Sequence, residues 1–334
     1  MLNIGIIGSG FIGCTHAAAA NNSDKVNLVA IADVNEEAGK KAADDHKCKW
    51  YADAEEMLKA EDIDIVDICL PTFLHEKFVL LAAKYNKNIL CEKPVALSSE
   101  SFDRMRKAEE DAGVKFMVAQ VIRFWPEYVN IKKHYDAGEF GDIKMVYAAR
   151  LAQHPTWTTW HRDPEKSGGG LFDLLLHDVD FARFIFGEAK SVYAIGWQSE
   201  TGCWNHVISN ITFKNGVKAC IEGAFDMTEN YPFTMIFRIV GDGKSVDYNL
   251  SAGLNLEDVA SAKRQEVIFE TGKAPEFEQV NQDEDAYQTE IDYFADCVEN
   301  GKECDLVPLD QSADVVRIML AIKESLETGK VIEL

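Results

Sequence analysis

Positive charge is scarce in this chain: 34 Lys and Arg face 56 Asp and Glu, a formal net charge of −22. So acidic a surface repels phosphate backbones and anionic membranes, which argues against nucleic acid and lipid partners and favours a small molecule. Long apolar runs are missing too. No stretch reaches the roughly 20 residues needed to cross a bilayer, and the opening "MLNIGIIGSGFIG" lacks the basic segment and small-residue cleavage site of a secretory leader. The eight cysteines, at 14, 48, 69, 91, 203, 220, 297 and 304, form no C-x-x-C pair, and Cys69 and Cys91 sit inside apolar runs. Reduced thiols fit this pattern better than a disulfide framework, so a cytoplasmic location is expected. The sequons at Asn210 and Asn249 are then incidental. Internal repeats and low-complexity tracts are absent as well.

What is present fills 334 residues, more than one hydrophobic core usually supports, so two domains are expected, over 1–120 and 121–334. In the first, "NIGIIGSGFIG" reads as a short buried strand followed by Gly8, Gly10 and Gly13, with a helix continuing through "CTHAAAA". G-x-G-x-x-G alone is common, but here a strand precedes it and a helix follows. Gly8 permits the tight turn, Gly10 lets the backbone approach a pyrophosphate, and Gly13 allows close helix–strand packing. Free amides at the helix N-terminus face the phosphates. A second strand, "VNLVAIAD", ends in Asp33, twenty residues past Gly13, where a carboxylate accepts hydrogen bonds from ribose hydroxyls. It would repel a 2′-phosphate, and no arginine follows in "DVNEEAGKK", so NAD is expected over NADP. The blander alternative is a strand-end Asp capping a loop.

Strands "IDIVDICL", "ILCEKP" and "KFMVAQ" then alternate with helical segments, which predicts a Rossmann-type doubly wound parallel sheet. Ligands on such sheets lie beyond the carboxyl ends of the strands, where Leu70, Pro71, Thr72, Lys93 and Gln120 fall. From 121 onward the pattern changes. A helix ending near Gly138 precedes the strand candidates "IKMVYAARL", "KSVYAIGWQ", "HVISNITF", "VKACIEGAF" and "TMIFRIVG", and two helices close the chain. This predicts an α+β domain with an open, mostly antiparallel sheet. Within it, "SGGGLFDLLLHDVDFARFIFG" puts Asp173 and His177 at i and i+4 on one helix face, with Asp180 a turn further on. Asp173 then either fixes the tautomer of His177 and favours its charged form, or the two merely decorate a capped surface helix. With no third ligand apparent, no metal is expected. Arg123, Trp125, Trp160 and Arg162 suit a polyhydroxylated or acidic ligand, although tryptophans more often serve as packing.

Taken together, "GIIGSGFIG", Asp33, "PTFLH" at 71–75, "CEKP" at 91–94, "GGGLFDLLLH" at 168–177 and the closing "SLETGKVIEL" resemble the Gfo/Idh/MocA family, the glucose–fructose oxidoreductase and inositol dehydrogenase group. The resemblance spans nearly the whole chain, and the pairing of EKP with G-G-G-x-x-D-x-x-x-H is its specific part. It implies Lys93, Asp173 and His177 at the catalytic positions, a Lys–Pro bond that is typically cis, and an open sheet used partly for oligomerisation, as a dimer or tetramer. One departure concerns substrate contacts: family members often carry Trp-Arg before the glycines, whereas this chain has Trp160-His161-Arg162. The candidate cofactor contacts are Gly8, Ser9, Gly10, Phe11, Ile12, Gly13, Asp33, Val34, Leu70, Pro71, Thr72, His75, Glu92, Lys93 and Gln120. The candidate substrate contacts are Lys93, Arg123, Trp160, Arg162, Asp173 and His177.

The implied reaction is NAD-dependent oxidation of a secondary alcohol in a sugar, polyol or cyclitol. Lys93 would stabilise negative charge on the substrate oxygen, and either His177 or a desolvated Lys93 would take the proton. Two other readings stand beside it. One is a hydride-borrowing isomerase, epimerase or glycosidase that retains its NAD. The other is a non-catalytic nucleotide sensor, disfavoured because all three catalytic positions are filled.

Overall fold

The computed structural model describes residues 1–154, 158–253, 262–280 and 284–334. Its first elements are β1 (Leu2–Ile7), α1 (Phe11–Asn22), β2 (Val26–Ala32), α2 (Glu36–His46), β3 (Lys49–Tyr51) and α3 (Ala54–Ala60). They continue with β4 (Ile65–Ile68), α4 (His75–Lys84), β5 (Asn88–Glu92), α5 (Ser99–Ala112) and β6 (Phe116–Ala119). The six strands form one parallel sheet in the order β3-β2-β1-β4-β5-β6. The order reverses between β1 and β4, and ligand crevices on such sheets open at the switch point. β4 and β6 are buried at every residue, as expected of strands covered on both faces. Side chains start three of these helices: Asn35 Oδ1 accepts from Ala38 N at 3.1 Å, Asp53 Oδ1 from Glu56 N at 3.0 Å, and Ser98 Oγ from Ser101 N at 3.2 Å. α1 and α4 have no such side-chain cap, their cap residues being Gly10 and Leu74.

The chain continues through α6 (Pro126–Asp136), β7 (Ile143–Leu151), α7 (Pro164–Ser167), a π turn (Leu171–Leu175) and α8 (Leu176–Phe186). Next come β8 (Ala189–Gln198), β9 (Trp204–Phe213), β10 (Lys218–Ala224), β11 (Thr234–Gly241), β12 (Lys244–Ser251), β13 (Lys263–Glu270) and β14 (Glu276–Phe277). α9 (Ala286–Glu299), α10 (Leu309–Thr328) and β15 (Ile332–Glu333) complete it. The second sheet has nine strands in the order β14-β13-β12-β11-β7-β10-β9-β8-β15. Among the described residues of this sheet only β7 and β10 pair in parallel; the other neighbours are antiparallel, so the sheet is mixed and mostly antiparallel, as expected.

Two compact units result, Met1–Trp125 with Asp283–Ala313, and Pro126–Gln282 with Asp314–Leu334. Against the expected single cut after residue 120, the chain returns to its first unit. There α9 lies on the end of α1: Gln288 Nε2 donates to Asn22 O at 3.1 Å and Ser23 hydrogen-bonds Asp292. Helical periodicity announces a buried face without naming the partner that covers it. In the second unit Tyr128 of α6 packs edge-on to Phe181 of α8 with ring centroids 4.7 Å apart, and also meets Phe237 and Tyr248. The buried Arg150–Asp178 pair, at 3.0 Å, adjoins the same tyrosine, whose hydroxyl is 3.3 Å from Asp178. Along β8, Tyr193, Ile195 and Trp197 alternate as exposed apolar side chains. Among the described residues no helix is long and apolar enough to cross a membrane.

Candidate active site

The glycine loop has two closed positions and one open one. Gly8 leaves β1 with φ +106°, and a Cβ there would overlap the Cys69 carbonyl oxygen. A Cβ on Gly13 would overlap the Gly8 carbonyl oxygen, so α1 can approach β1 only through glycine. Gly10, by contrast, has nothing within 4 Å of where a Cβ would sit. That space lies over the N-terminus of α1, where the cap residue, Gly10, places no side chain of its own. The cradle therefore fits a pyrophosphate, held by backbone N–H groups and the positive end of the helix. Phe11 and Val34 are apolar yet exposed, Val34 at 91%, and Ile12 is half-buried.

Asp33, at the end of β2, is oriented from both sides. Ser9 N and Oγ donate to its Oδ2 at 2.7 and 2.6 Å, and Asn35 N donates to Oδ1 at 2.8 Å. The cations that follow on α2 are already paired, Lys40 with Glu36 and Lys41 with Asp45, each at 2.6 Å. At the end of β4, Leu70 and Pro71 are half-buried and Thr72 is buried at the start of a 3₁₀ turn. His75 acts through the backbone: Nε2 donates to Leu70 O at 2.7 Å, and burial holds its pKa below the usual value, so it is a neutral brace for this turn. Gln120 is buried at the end of β6. Glu92 ends β5, and its Oε2 accepts from Lys93 N at 2.9 Å. Lys93 is half-buried, and its bond to Pro94 is cis. All these residues share the carboxyl edge of one sheet. Sequence reasoning missed His16 and Asp67 in this unit; the available signal is Asp67 itself, a carboxylate inside the apolar run "IDIVDICL".

Arg123, also in the first unit, is buried, and its Nη1 donates to Leu306 O and Gln311 Oε1, both at 2.7 Å. It braces the chain there.

The other candidates belong to the second unit. Trp160, His161 and Arg162 form a 3₁₀ turn in which the Trp160 and His161 rings stack with centroids 3.8 Å apart, while Arg162 is exposed. Asp173 is half-buried in the π turn, and His177 is buried in the first turn of α8. The helix expected through both residues thus opens as a π turn, whose hydrogen bonds reach one residue further, before α8 continues it through His177. Nor is this a surface helix, since nine residues of α8 are buried, Asp180 among them. A cavity of about 470 Å³ in the same unit is lined by Glu127, Arg264, Glu266 and Glu278 among others, and by none of the candidate residues.

Known proteins resemble this chain in sequence and in fold. A family model described as "Oxidoreductase family, NAD-binding Rossmann fold" matches residues 2–120, and one described as "GFO/IDH/MocA C-terminal domain" matches residues 128–247. The chain is similar to D-xylose 1-dehydrogenase (NADP(+)) 2 of Haloferax volcanii, at 30% identity over 335 residues and 99% of both chains. It is similar to inositol 2-dehydrogenase of Rhizobium meliloti, at 35% identity over 196 residues and 56% of each. In fold it is similar to the aldose-aldose oxidoreductase of Caulobacter crescentus, with a TM-score of 0.88, 20% identity, and coverage of 100% of this chain and 99% of that one. The chain therefore belongs to the Gfo/Idh/MocA family of NAD-binding oxidoreductases.

Proposed function

We propose that the protein is a dehydrogenase that moves a hydride between NAD and a secondary alcohol of a sugar, polyol or cyclitol. The observation that supports this most is the shared edge of the first sheet, where the open space over Gly10 and the residue Lys93 both follow strand ends. Bound NAD would supply the hydride acceptor. The backbone of the glycine loop would hold its pyrophosphate, and Asp33 would accept from the ribose hydroxyls. Lys93 would donate to the substrate oxygen and stabilise the negative charge that grows there as hydride leaves carbon. His177, with Asp173 setting its tautomer, would take the hydroxyl proton; Lys93 is the alternative acceptor. Trp160 and Arg162 are proposed substrate contacts.

NAD preference follows from Asp33, together with the pairing of Lys40 and Lys41 to their own helix carboxylates. Because the Haloferax relative is named for NADP(+), kinetics with both cofactors decide the point, and an equal or better kcat/KM with NADP would remove the preference. The first unit is the proposed dinucleotide-binding part, and the second the substrate and oligomerisation part. The exposed Tyr193, Ile195 and Trp197 support a homo-oligomer, and eight unpaired cysteines support a cytoplasmic location. Screening sugars, polyols and cyclitols with NAD at 340 nm tests the reaction. Net NADH formation is expected; substrate turnover with retained NAD and no change at 340 nm would replace this reading with a hydride-returning one.

A further inference from the structure

One buried group of ionisable side chains in the first unit has no part in the chemistry above. His16, on α1, is fully buried, and its ring lies between two carboxylates, with Nδ1 2.8 Å from Asp67 Oδ2 and Nε2 3.1 Å from Glu92 Oε1. Both nitrogens face acceptors, so the trio carries one proton more than a neutral imidazole and two carboxylates. Burial opposes that charge, but Asp67 and Cys69 beside the ring together outweigh it and hold the imidazole pKa well above its usual value. The remaining oxygens are also engaged. Asp67 Oδ1 accepts from Cys69 Sγ at 3.4 Å, and Glu92 Oε2 accepts from Lys93 N at 2.9 Å. The Tyr287 ring of α9 lies 5.5 Å from the imidazole. Although His16, Asp67 and Cys69 bring ligand-type atoms within 4.8 Å of one another, hydrogen bonds to the Asp67 carboxylate already engage both the imidazole and the thiol.

We propose that His16 is a positioning residue: by clamping Glu92 it fixes the backbone that carries Lys93 to the helix of the nucleotide cradle. The inference rests on the role proposed above for Lys93. α1 begins at the glycine loop, β5 ends in Glu92, and His16 is the side chain that ties one to the other while Asp67 of β4 holds its far nitrogen. Stability alone does not call for such a trio, because apolar side chains of similar volume are often as stabilising as a buried ion group. Apolar packing, however, has no direction. Without the imidazole, Glu92 Oε1 loses its donor, and nothing then sets the angle at which Oε2 meets the Lys93 amide. Displacing a reacting group by about 1 Å can cost up to roughly 10²-fold in rate.

The test compares His16→Asn, whose amide ends near the former Nδ1 and cannot reach Glu92, with His16→Gln, whose amide extends toward the former Nε2. Val79→Ala, a fully buried site in α4, controls for lost core packing. His16→Asn is expected to lower kcat roughly ten- to hundredfold with NAD affinity nearly unchanged, and His16→Gln to recover part of the loss. In the absence of substrate, acetic anhydride labelling of Lys93 relative to Lys40, read by peptide mass spectrometry, should change in His16→Asn and not in Val79→Ala. If Lys93→Met is slow while His16→Asn keeps wild-type kcat and labelling, the positioning role is overturned and the Lys93 reading survives. If Lys93→Met keeps wild-type kcat, both fall. If His16→Asn does not fold, His16→Gln carries the test: wild-type labelling and kcat with only a lower melting temperature overturn the role, and altered labelling with reduced kcat supports it.

Discussion

Strands β4 and β6 of the first unit are buried at every residue, whereas β9 and β11 of the second alternate buried with half-exposed or exposed positions. A sheet covered on both faces offers no solvent for a charge, so an ionisable side chain inside it has to be matched within the fold. His16 between Asp67 and Glu92 is such a match. The second unit matches less completely. Burial, opposed by the Asn130 amide but helped by Glu278 and Glu127, raises the Glu266 carboxyl to about 8. The comparison separates a unit organised around compensated charge at a strand edge from one that, beside its Arg150–Asp178 pair, spends its second sheet face on solvent and exposed apolar side chains and holds the Glu266 carboxyl against ionisation.

The largest expected effect tests the strand edge of the first unit against the helix of the second. Lys93→Met should lower kcat by roughly 10²–10⁴, the usual worth of a positioned acid–base group, with NAD affinity held within several-fold. His177→Ala should cost a comparable amount, the double variant much less than the product, and Asp173→Asn less than either single change. Steady-state kinetics beside thermal melting checks this. A folded Lys93→Met protein with near-wild-type kcat would take the lysine out of the mechanism.

Within the cradle, Gly10 and Gly13 should separate binding from folding. Gly10→Val extends into open space, so its melting temperature should match wild type while NADH fluorescence titration shows binding lost. Gly13→Ala collides with the Gly8 carbonyl and should lose about 1–3 kcal/mol of stability in denaturant melts. Wild-type NADH binding by Gly10→Val would mean that pyrophosphate does not sit over the loop.

On the second unit's open face, the double variant Ile195→Lys, Trp197→Lys places two charges among exposed apolar side chains. It should dissociate a homo-oligomer while leaving NADH binding intact, which light scattering with NADH titration can measure. A monomeric wild-type protein at micromolar concentration would dispose of the oligomer itself.

The smallest effect concerns buried charge. Glu266 titrates at about 8 in the fold against 4.5 ordinarily, so its raised pKa favours the folded state fully below pH 4.5. That contribution is lost as pH rises through about 8. Glu266→Gln should therefore gain melting temperature relative to wild type between pH 5 and pH 9. A constant difference across that range would show the carboxylate ionised throughout. His16 has the same sign, since its raised pKa favours the fold below the usual histidine value and less so as pH rises, so the deficit of His16→Asn should shrink in alkali.

Local pattern was enough for much of this molecule. "IKMVYAARL" and "TMIFRIVG" coincide with β7 and β11, "AYQTEIDYFADCVE" with α9, and the cradle, Asp33 and the strand-end position of Lys93 follow from motif and spacing. These features are set by side-chain periodicity and by backbone conformations only glycine adopts, both properties of a few neighbouring residues. "KSVDYNLS" and "KRQEVIFE" carry too many polar and charged side chains to be read as strands alone, and become β12 and β13 by pairing with β11 and with each other. The π turn at Asp173, the return of α9 to the first unit and the use of Arg123 on Leu306 are likewise settled by contact. His16 meets partners 51 and 76 positions away. A sequence can declare that an imidazole will be buried; only the fold, by bringing distant strands beneath the same helix, decides which carboxylates will share its proton.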